Sequence, residues 1–504
     1  MYLIVLGFSL LCFLGVGAWF LRSPLFSLFH PFTTYLAFHG LVFVIRPIMV
    51  HFAGHDAISR VYQFTPSLSD KITVIAASNL GFLVFALCCL RVGNLPMRFT
   101  PTAAIAEERR RLARIFGWVV VLAGPPALYS LSRSFGADNI YTGLTLDRQT
   151  GVAINTINNG YVVDLQMMAV TLCALIAWLM RFRLYSLLPL AGFALTRAGT
   201  GGRGPFVTAI VATGLFYLYD RRQKVPRLGL LLAAVALLAA FNMVGADRGA
   251  TIRQVTGLEQ GARIEERPEE DQFFLYGMDF ANMEFFEYLV YVVPQRSGTY
   301  DYFLDNLQVF TEPIPRIWWS EKPVGEPLRR IRLFDYGFPI GMTRSLPGEG
   351  WYALGWIGVV MWCALWGGLL GKAYRNFVSR PQTTWRVACY MILVSTLIVG
   401  FRDGSLLTMA RTIGVYFTPI AVWFVIARLK GLPSAADIAG AARRAASAVR
   451  GVAAANASDV RDAAGAPGAD TRPARRADLL AGLPPAVRRR RLALARAGAA
   501  DSGG

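Results

Sequence analysis

Charge is scarce in this chain. Asp, Glu, Lys and Arg make up 16% of its 504 residues, where a soluble domain carries about a quarter. Apolar residues make up 54% and the mean hydropathy is +0.42, which points away from a soluble fold. Histidine is nearly absent: the four present all precede residue 56, so no metal motif is expected. The six cysteines, Cys12, Cys88, Cys89, Cys173, Cys363 and Cys389, fall inside apolar runs and none lies in the longest polar segment. A disulfide framework or a cysteine metal site is therefore not expected. No glycine-rich phosphate loop follows a strand-like run. Thr200-Gly-Gly-Arg-Gly204 has the glycines but follows a membrane-type apolar segment. No internal repeat is visible, which counts against a transporter built from two related halves.

Long apolar runs take the place of what is missing. A bilayer core needs about 20 mostly apolar residues per helix, and the spacing predicts an all-α polytopic membrane protein with about eleven spans. These fall near Tyr2–Leu21, Phe32–Val50, Ile72–Val92, Ile115–Ser132, Val162–Met180, Leu184–Thr196, Pro205–Tyr219, Arg227–Ala246, Trp351–Gly371, Trp385–Phe401 and Leu406–Ala427. The first run lacks a basic leader and a small-residue cleavage site before Arg22, so it reads as a retained helix. The sixth and seventh are short and separated by glycines, a pattern that suits the lining of a cavity. Domain organisation follows: residues 1–245 carry spans one to eight, 246–350 form one large loop, 351–427 carry spans nine to eleven, and 428–504 form a tail.

Arginine and lysine set the orientation. Arg98, Arg109, Arg110, Arg111 and Arg114, then Arg181 and Arg183, then Arg221, Arg222 and Lys224, then Lys372, Arg375, Arg380 and Arg386 occupy alternate short loops. With eleven spans these loops share a side with the tail, and positive charge marks the cytoplasmic side. The amino terminus and the 246–350 loop then lie outside the cytoplasm. The net charge of +19 is thus a topology signal, and no nucleic acid is needed to explain it. The tail has no aromatic residue after Phe424 and is expected to be disordered; Arg488-Arg-Arg-Arg491 within it suits a solvated run or contact with anionic membrane lipids.

The 246–350 loop is too long for a bare connection. It holds 17 acidic and 11 basic residues. Phe280, Met283, Phe286, Leu289, Val290 and Val293 recur near helical spacing, and Glu284 and Glu287 argue against a span, so an interfacial or re-entrant helix is expected. Arg316, Lys322, Arg330 and Arg344 then stand on the outer side, against the usual charge trend. A guanidinium matches phosphate oxygens in a planar fork, so these residues suggest a phosphate-bearing ligand near the outer leaflet; pairing with the loop's own acids is the plainer account of any one of them. Ionisable residues inside the spans, Arg46, Asp164 and Arg411, are candidates by position. Snorkelling would explain Arg46, and His39 reads as a packed core residue.

Three features together resemble the bacterial O-antigen and exopolysaccharide repeat-unit polymerases, the Wzy type. They are the late, long outer loop, the segment Pro315-Arg316-Ile-Trp-Trp-Ser-Glu-Lys322-Pro323, and the loop exit Thr343-Arg344-Ser-Leu-Pro347-Gly348-Glu349-Gly350 running into Gly355-Trp-Ile-Gly358. The resemblance covers roughly residues 150 to 425 and implies a GT-C-like helical architecture. It implies a membrane glycosyltransferase that joins repeat units carried on undecaprenyl diphosphate, with the lipid diphosphate as leaving group, no cofactor and no metal. A protein that regulates chain length would be a partner. Under that chemistry Arg203, Arg316, Lys322, Arg330, Arg344 and Arg402 are expected to bind the diphosphate or glycan. Glu349 is the first choice for the base that takes the acceptor's proton, and Asp403 the second. An O-antigen ligase and a flippase for lipid-linked oligosaccharide are the competing functions.

Overall fold

A computed structural model of the chain describes residues 1–54, 58–59, 62–136, 144–146, 153–155, 164–200, 204–229, 232, 280–311, 314, 318–319, 330–337, 339 and 343–464. The chain divides into two compact units, Met1–Ala435 and Ala436–Gly504. The first is a helical membrane protein. Its described residues include seven helices long and apolar enough to cross a membrane. They are α1 (Tyr2–Arg22), the rod formed by α2 (Pro31–His39) and α3 (Arg46–Ala53) through a π turn at Gly40–Ile45, and α4 (Leu68–Val92). The long α5 (Ala103–Gly136) supplies the fourth. The expected fifth to seventh spans correspond to shorter helices, α6 (Met168–Leu179), α7 (Leu188–Thr200) and α8 (Gly204–Asp220). After α9 (Asn282–Val292) come the last three long helices, α10 (Leu346–Ser379), α11 (Thr384–Asp403) and α12 (Leu406–Leu429). Most of the expected eighth span, 227–246, lies outside the described residues. The described strands are the three-residue pair β1 (Leu144–Leu146) and β2 (Ala153–Asn155), antiparallel with Thr145 opposite Ile154.

Local sequence explains where these helices start. Ser67 opens α4 with a capping box: its hydroxyl accepts from the Asp70 N–H at 3.1 Å, and the Asp70 carboxylate accepts from the Ser67 N–H at 2.9 Å, so two orphan donors are satisfied. Thr383 caps α11 by accepting from the Arg386 N–H. Pro125 and Pro126 sit inside α5 and Pro419 inside α12, where only an apolar, packed setting tolerates them. Outward faces are apolar: Leu3, Ile4, Phe8 and Leu11 on α1 are exposed, as are Ile357, Met361 and Leu365 on α10. Such faces suit lipid and would be costly in water.

The two ends of the helices differ in charge. At one end, Gln382 accepts from the Thr100 N–H and the Tyr219 hydroxyl and donates to the Arg98 carbonyl. Nearby, Arg109 pairs with Asp220. Buried Glu108 divides its oxygens between two chain segments, accepting from the Thr384 N–H and from the Ala435 N–H, both at 2.9 Å. Arg98, Arg109, Arg110, Arg181, Arg221, Arg380 and Arg386 belong to these same turns and helix ends. The opposite end gathers Asp70, Glu284, Glu287, Asp301, Asp305 and Glu349, all of them buried.

The helix expected near residues 280–293 forms as α9, and every residue of Asn282–Val292 except Tyr291 is buried, both glutamates included. Two expectations change. Arg46 does not snorkel; it is 1% exposed and its Nε stands 2.7 and 2.9 Å from the two oxygens of Glu284. In the tail, Ala435–Ala464 is one helix, α13, rather than disordered. Alanine, the strongest helix former, dominates that stretch and outweighs its lack of apolar bulk.

Candidate functional site

The loop exit and the turn between α11 and α12 come together at the acidic end. Ser345 starts α10 from the left-handed region, φ 64°; its hydroxyl accepts from the Gly348 N–H, and its own N–H donates to the Arg402 carbonyl at 2.9 Å. Gly404 (φ 77°) faces it so closely that a Cβ there would stand 2.1 Å from the Ser345 carbonyl oxygen, so only glycine fits. Asn282 of α9 adds a third strand of contact, its Nδ2 donating to the Thr343 carbonyl, the Thr343 hydroxyl and the Arg402 carbonyl. Trp362 Nε1 donates to the Gly404 carbonyl.

Arg344 projects from this junction between two carboxylates. Its Nη2 lies 2.6 Å from Asp305 and its Nη1 3.1 Å from Glu349. The guanidinium also stacks over Tyr352, 4.0 Å from the ring centre. The Glu349 side chain is fully buried, and its second oxygen accepts from Asn306 Nδ2 at 2.6 Å. Asn306 in turn accepts from the Leu406 N–H at 2.8 Å, which joins the group to the start of α12. Asp301 stands one turn before Asp305, its Oδ2 accepting the Asp305 N–H. Burial and the neighbouring Asp305 raise the Asp301 carboxyl to about 7.

A helix break shapes the floor. Leu354 and Gly355 leave helical geometry inside α10, Gly355 at φ 59° and ψ −137°. Tyr300 fills the space beside Gly355: its hydroxyl would lie 2.7 Å from a Cβ there. Carbonyls just before the break accept from the loop that precedes α10 in the chain, Tyr352 from the Asp301 N–H and Ala353 from the Tyr302 N–H. Tyr302 and Phe303 both adopt positive φ, 58° and 62°. Two non-glycine residues in the left-handed region store strain of about 1–3 kcal/mol each; the turn that they form leads into Asp305, which meets Arg344.

The predicted residues distribute unevenly. Arg344 and Glu349 meet directly. Arg402 contributes its backbone carbonyl, and the Asp403 carboxylate is bonded by the Thr408 side chain and the Ser405 backbone and lies within the field of Arg344. Arg330 is exposed, its guanidinium 5.2 Å from the ring centre of Tyr302, beside the same loop. Arg203, Arg316 and Lys322 lie outside the described residues. Sequence reasoning missed Asn282, Asp301, Asp305, Asn306 and Tyr352. Asp301 and Asp305 were among 17 loop acids with nothing to mark them, whereas the 343–349 motif did mark Arg344 and Glu349. Asp164 and Arg411, singled out separately, hydrogen-bond to each other.

A second buried ionic group lies at the same end. Arg46 meets Glu284 in a direct pair, while Gln295 donates to Asp70 at 3.0 Å. Glu287, 2% exposed, is raised to about 8 by burial, a push that Glu284 and Asp70 reinforce and Lys71 and Arg46 oppose. Among the described residues no group of three or more His, Cys, Asp or Glu side chains could hold a metal ion. Comparison with protein-family models, with curated proteins and with solved structures returns no match.

Proposed function

We propose that this chain is a bacterial polysaccharide polymerase of the inner membrane, joining repeat units carried on undecaprenyl diphosphate. About eleven helices cross the bilayer in this reading, in a GT-C-like arrangement. The basic end and the carboxy terminus face the cytoplasm, and residues 246–350 face the periplasm. The observation that carries the reading is the group of Arg344, Glu349, Asp305 and Asn306. It joins a cation, buried carboxylates and an amide at the ends of apolar helices, opposite the basic end. A lipid-linked diphosphate presents its charged head at that depth and leaves its tail in the bilayer.

The chemistry is glycosyl transfer. Glu349, ionised, takes the proton of an acceptor hydroxyl as that oxygen bonds to the donor's anomeric carbon, and the bond from that carbon to the diphosphate oxygen breaks. Arg344, with Arg330, Arg402, Arg203, Arg316 and Lys322 as further candidates, stabilises the negative charge that grows on the departing diphosphate. Asp403 is the alternate base. Orientation by Asp305 and Tyr352 fixes where the Arg344 guanidinium can act. No cofactor is required because the lipid diphosphate is itself the leaving group.

Deletion of the gene, with a gel of surface and lipid-linked glycan, tests the reading. Single repeat units without a ladder are expected. Long chains retained on the carrier lipid indicate a ligase instead. Units trapped on the inner side indicate a flippase. Unchanged glycan in a strain with one such gene overturns the polysaccharide function altogether.

A further inference from the structure

Asn306 uses both ends of its side-chain amide. Oδ1 accepts from the Leu406 N–H at 2.8 Å and Nδ2 donates to Glu349 at 2.6 Å. The first contact settles which end is which, since only the carbonyl end can accept from a backbone N–H. Glu349 is therefore addressed separately at its two oxygens, one by the Asn306 amide and the other by Arg344. Asn306 is itself buried, and its backbone N–H donates to the Phe303 carbonyl. Leu406 is the first residue of α12 and follows Asp403-Gly404-Ser405, the turn whose Arg402 carbonyl accepts from Ser345 and Asn282. One neutral side chain thus links the start of α12 to the carboxylate on α10.

We infer that Asn306 is a positioning residue: it fixes the plane of the Glu349 carboxylate for proton transfer and ties that placement to the turn between α11 and α12. The inference rests on Glu349 as the base of the proposed reaction. An amide suits the task because it neither gives up nor takes a proton at accessible pH, so it cannot compete for the acceptor's proton. A lysine or arginine there, added to Arg344, would lower the basicity of the carboxylate further.

The test uses the full-length protein in lipid vesicles supplied with lipid-linked repeat units, with initial rates of polymer formation, membrane level and melting temperature measured together. Asn306→Ala removes both contacts. Asn306→Asp keeps an acceptor for Leu406 and loses the donor to Glu349. Leu406→Pro removes the other half, deleting the N–H while leaving Asn306 in place; proline is well tolerated at the first residue of a helix. Ser405 already has the extended backbone, φ −74° and ψ 137°, that a residue before proline prefers. Leu406→Ala keeps the N–H and controls for the lost side chain. Both Asn306 variants are expected to lose turnover by roughly 10²-fold at unchanged KM, the scale of a misplaced catalytic group. Leu406→Pro should fall about tenfold below Leu406→Ala, the scale of one hydrogen bond. Wild-type turnover in the Asn306 variants, with Glu349→Gln inactive, overturns the positioning role and leaves the base in place. So does a Leu406→Pro rate equal to that of Leu406→Ala with Asn306→Ala lost only through lower folded protein. Normal polymer from Glu349→Gln overturns both the role and the reading beneath it.

Discussion

Arg46 is buried and Arg344 half-buried at the same end, yet their settings are built from different parts of the chain. Arg46 lies within a continuous helical rod and meets Glu284 on α9, so its pair joins one helix body to another. Arg344 is held where helices begin: by the residues before α10, by the Asp301–Asp305 loop and, through Asn306, by the first residue of α12. Backbone strain gathers in the second setting, at Tyr302, Phe303 and Ser345 with their positive φ, and a glycine, Gly404, is required beside it. Strain of this kind persists only where surrounding structure over-determines it, and it clusters at functional sites. Under the proposed function the contrast separates a fastening from a working group.

Four outcomes would sharpen or break that contrast. The largest is expected at Glu349→Gln, which should lower turnover by roughly 10²–10⁴-fold, the range for a lost general base, as measured by polymer formation in vesicles; normal rates would remove the distinction. Arg46→Ala should leave Glu284 buried without its partner and cost about 3–5 kcal/mol of stability, read by thermal or denaturant unfolding in detergent, while turnover per folded molecule stays at the wild-type value. Replacing the whole pair, Arg46→Met with Glu284→Leu, should recover most of that stability, because two apolar side chains need no desolvated charge. Arg344→Met with Glu349→Leu should remain inactive and recover less stability, because Asp305 stays buried without the arginine it pairs with.

The smallest effect is a pH dependence. The Glu287 carboxyl is raised from the usual 4.5 to about 8, so the folded state keeps a proton that the unfolded chain releases. Its burial is free of penalty below about 4.5, costs progressively more as pH rises toward 8, and costs its full amount above that. Glu287→Gln should therefore melt at a higher temperature than the wild type near pH 8 and converge with it near pH 4.5. Asp301→Asn should behave likewise between 3.8 and about 7, with a loss of activity that Glu287→Gln does not share if the two settings differ as described.

Much of the architecture was legible from hydropathy alone because apolar length is a strong, local signal. The helices at Tyr2–Arg22, Leu68–Val92, Thr384–Asp403 and Leu406–Leu429 stand within a few residues of the runs that predicted them. Burial of charge was not legible. Glu284 and Glu287 read as arguments against a span, and it is Arg46, 238 residues from Glu284, that pairs with Glu284 where it is buried. Local sequence holds no trace of such a partner. At the candidate site the motif 343–349 drew attention to Arg344 and Glu349, whereas Asn306 is a single polar residue with no motif around it, and its two contacts arise only once the starts of α10 and α12 come together.

Glu108 carries a consequence for biosynthesis. Its two oxygens are held by the Thr384 and Ala435 N–H groups, so a segment made early closes against one made near the end of the first unit. Translation and insertion must pass residue 435 before the basic end can reach its final arrangement. A chain stopped at Pro433 would keep every long apolar helix and still leave one oxygen of a buried carboxylate without its donor. Such a truncation should enter the membrane normally and then be cleared faster by quality-control proteases than a chain stopped a few residues after Ala435.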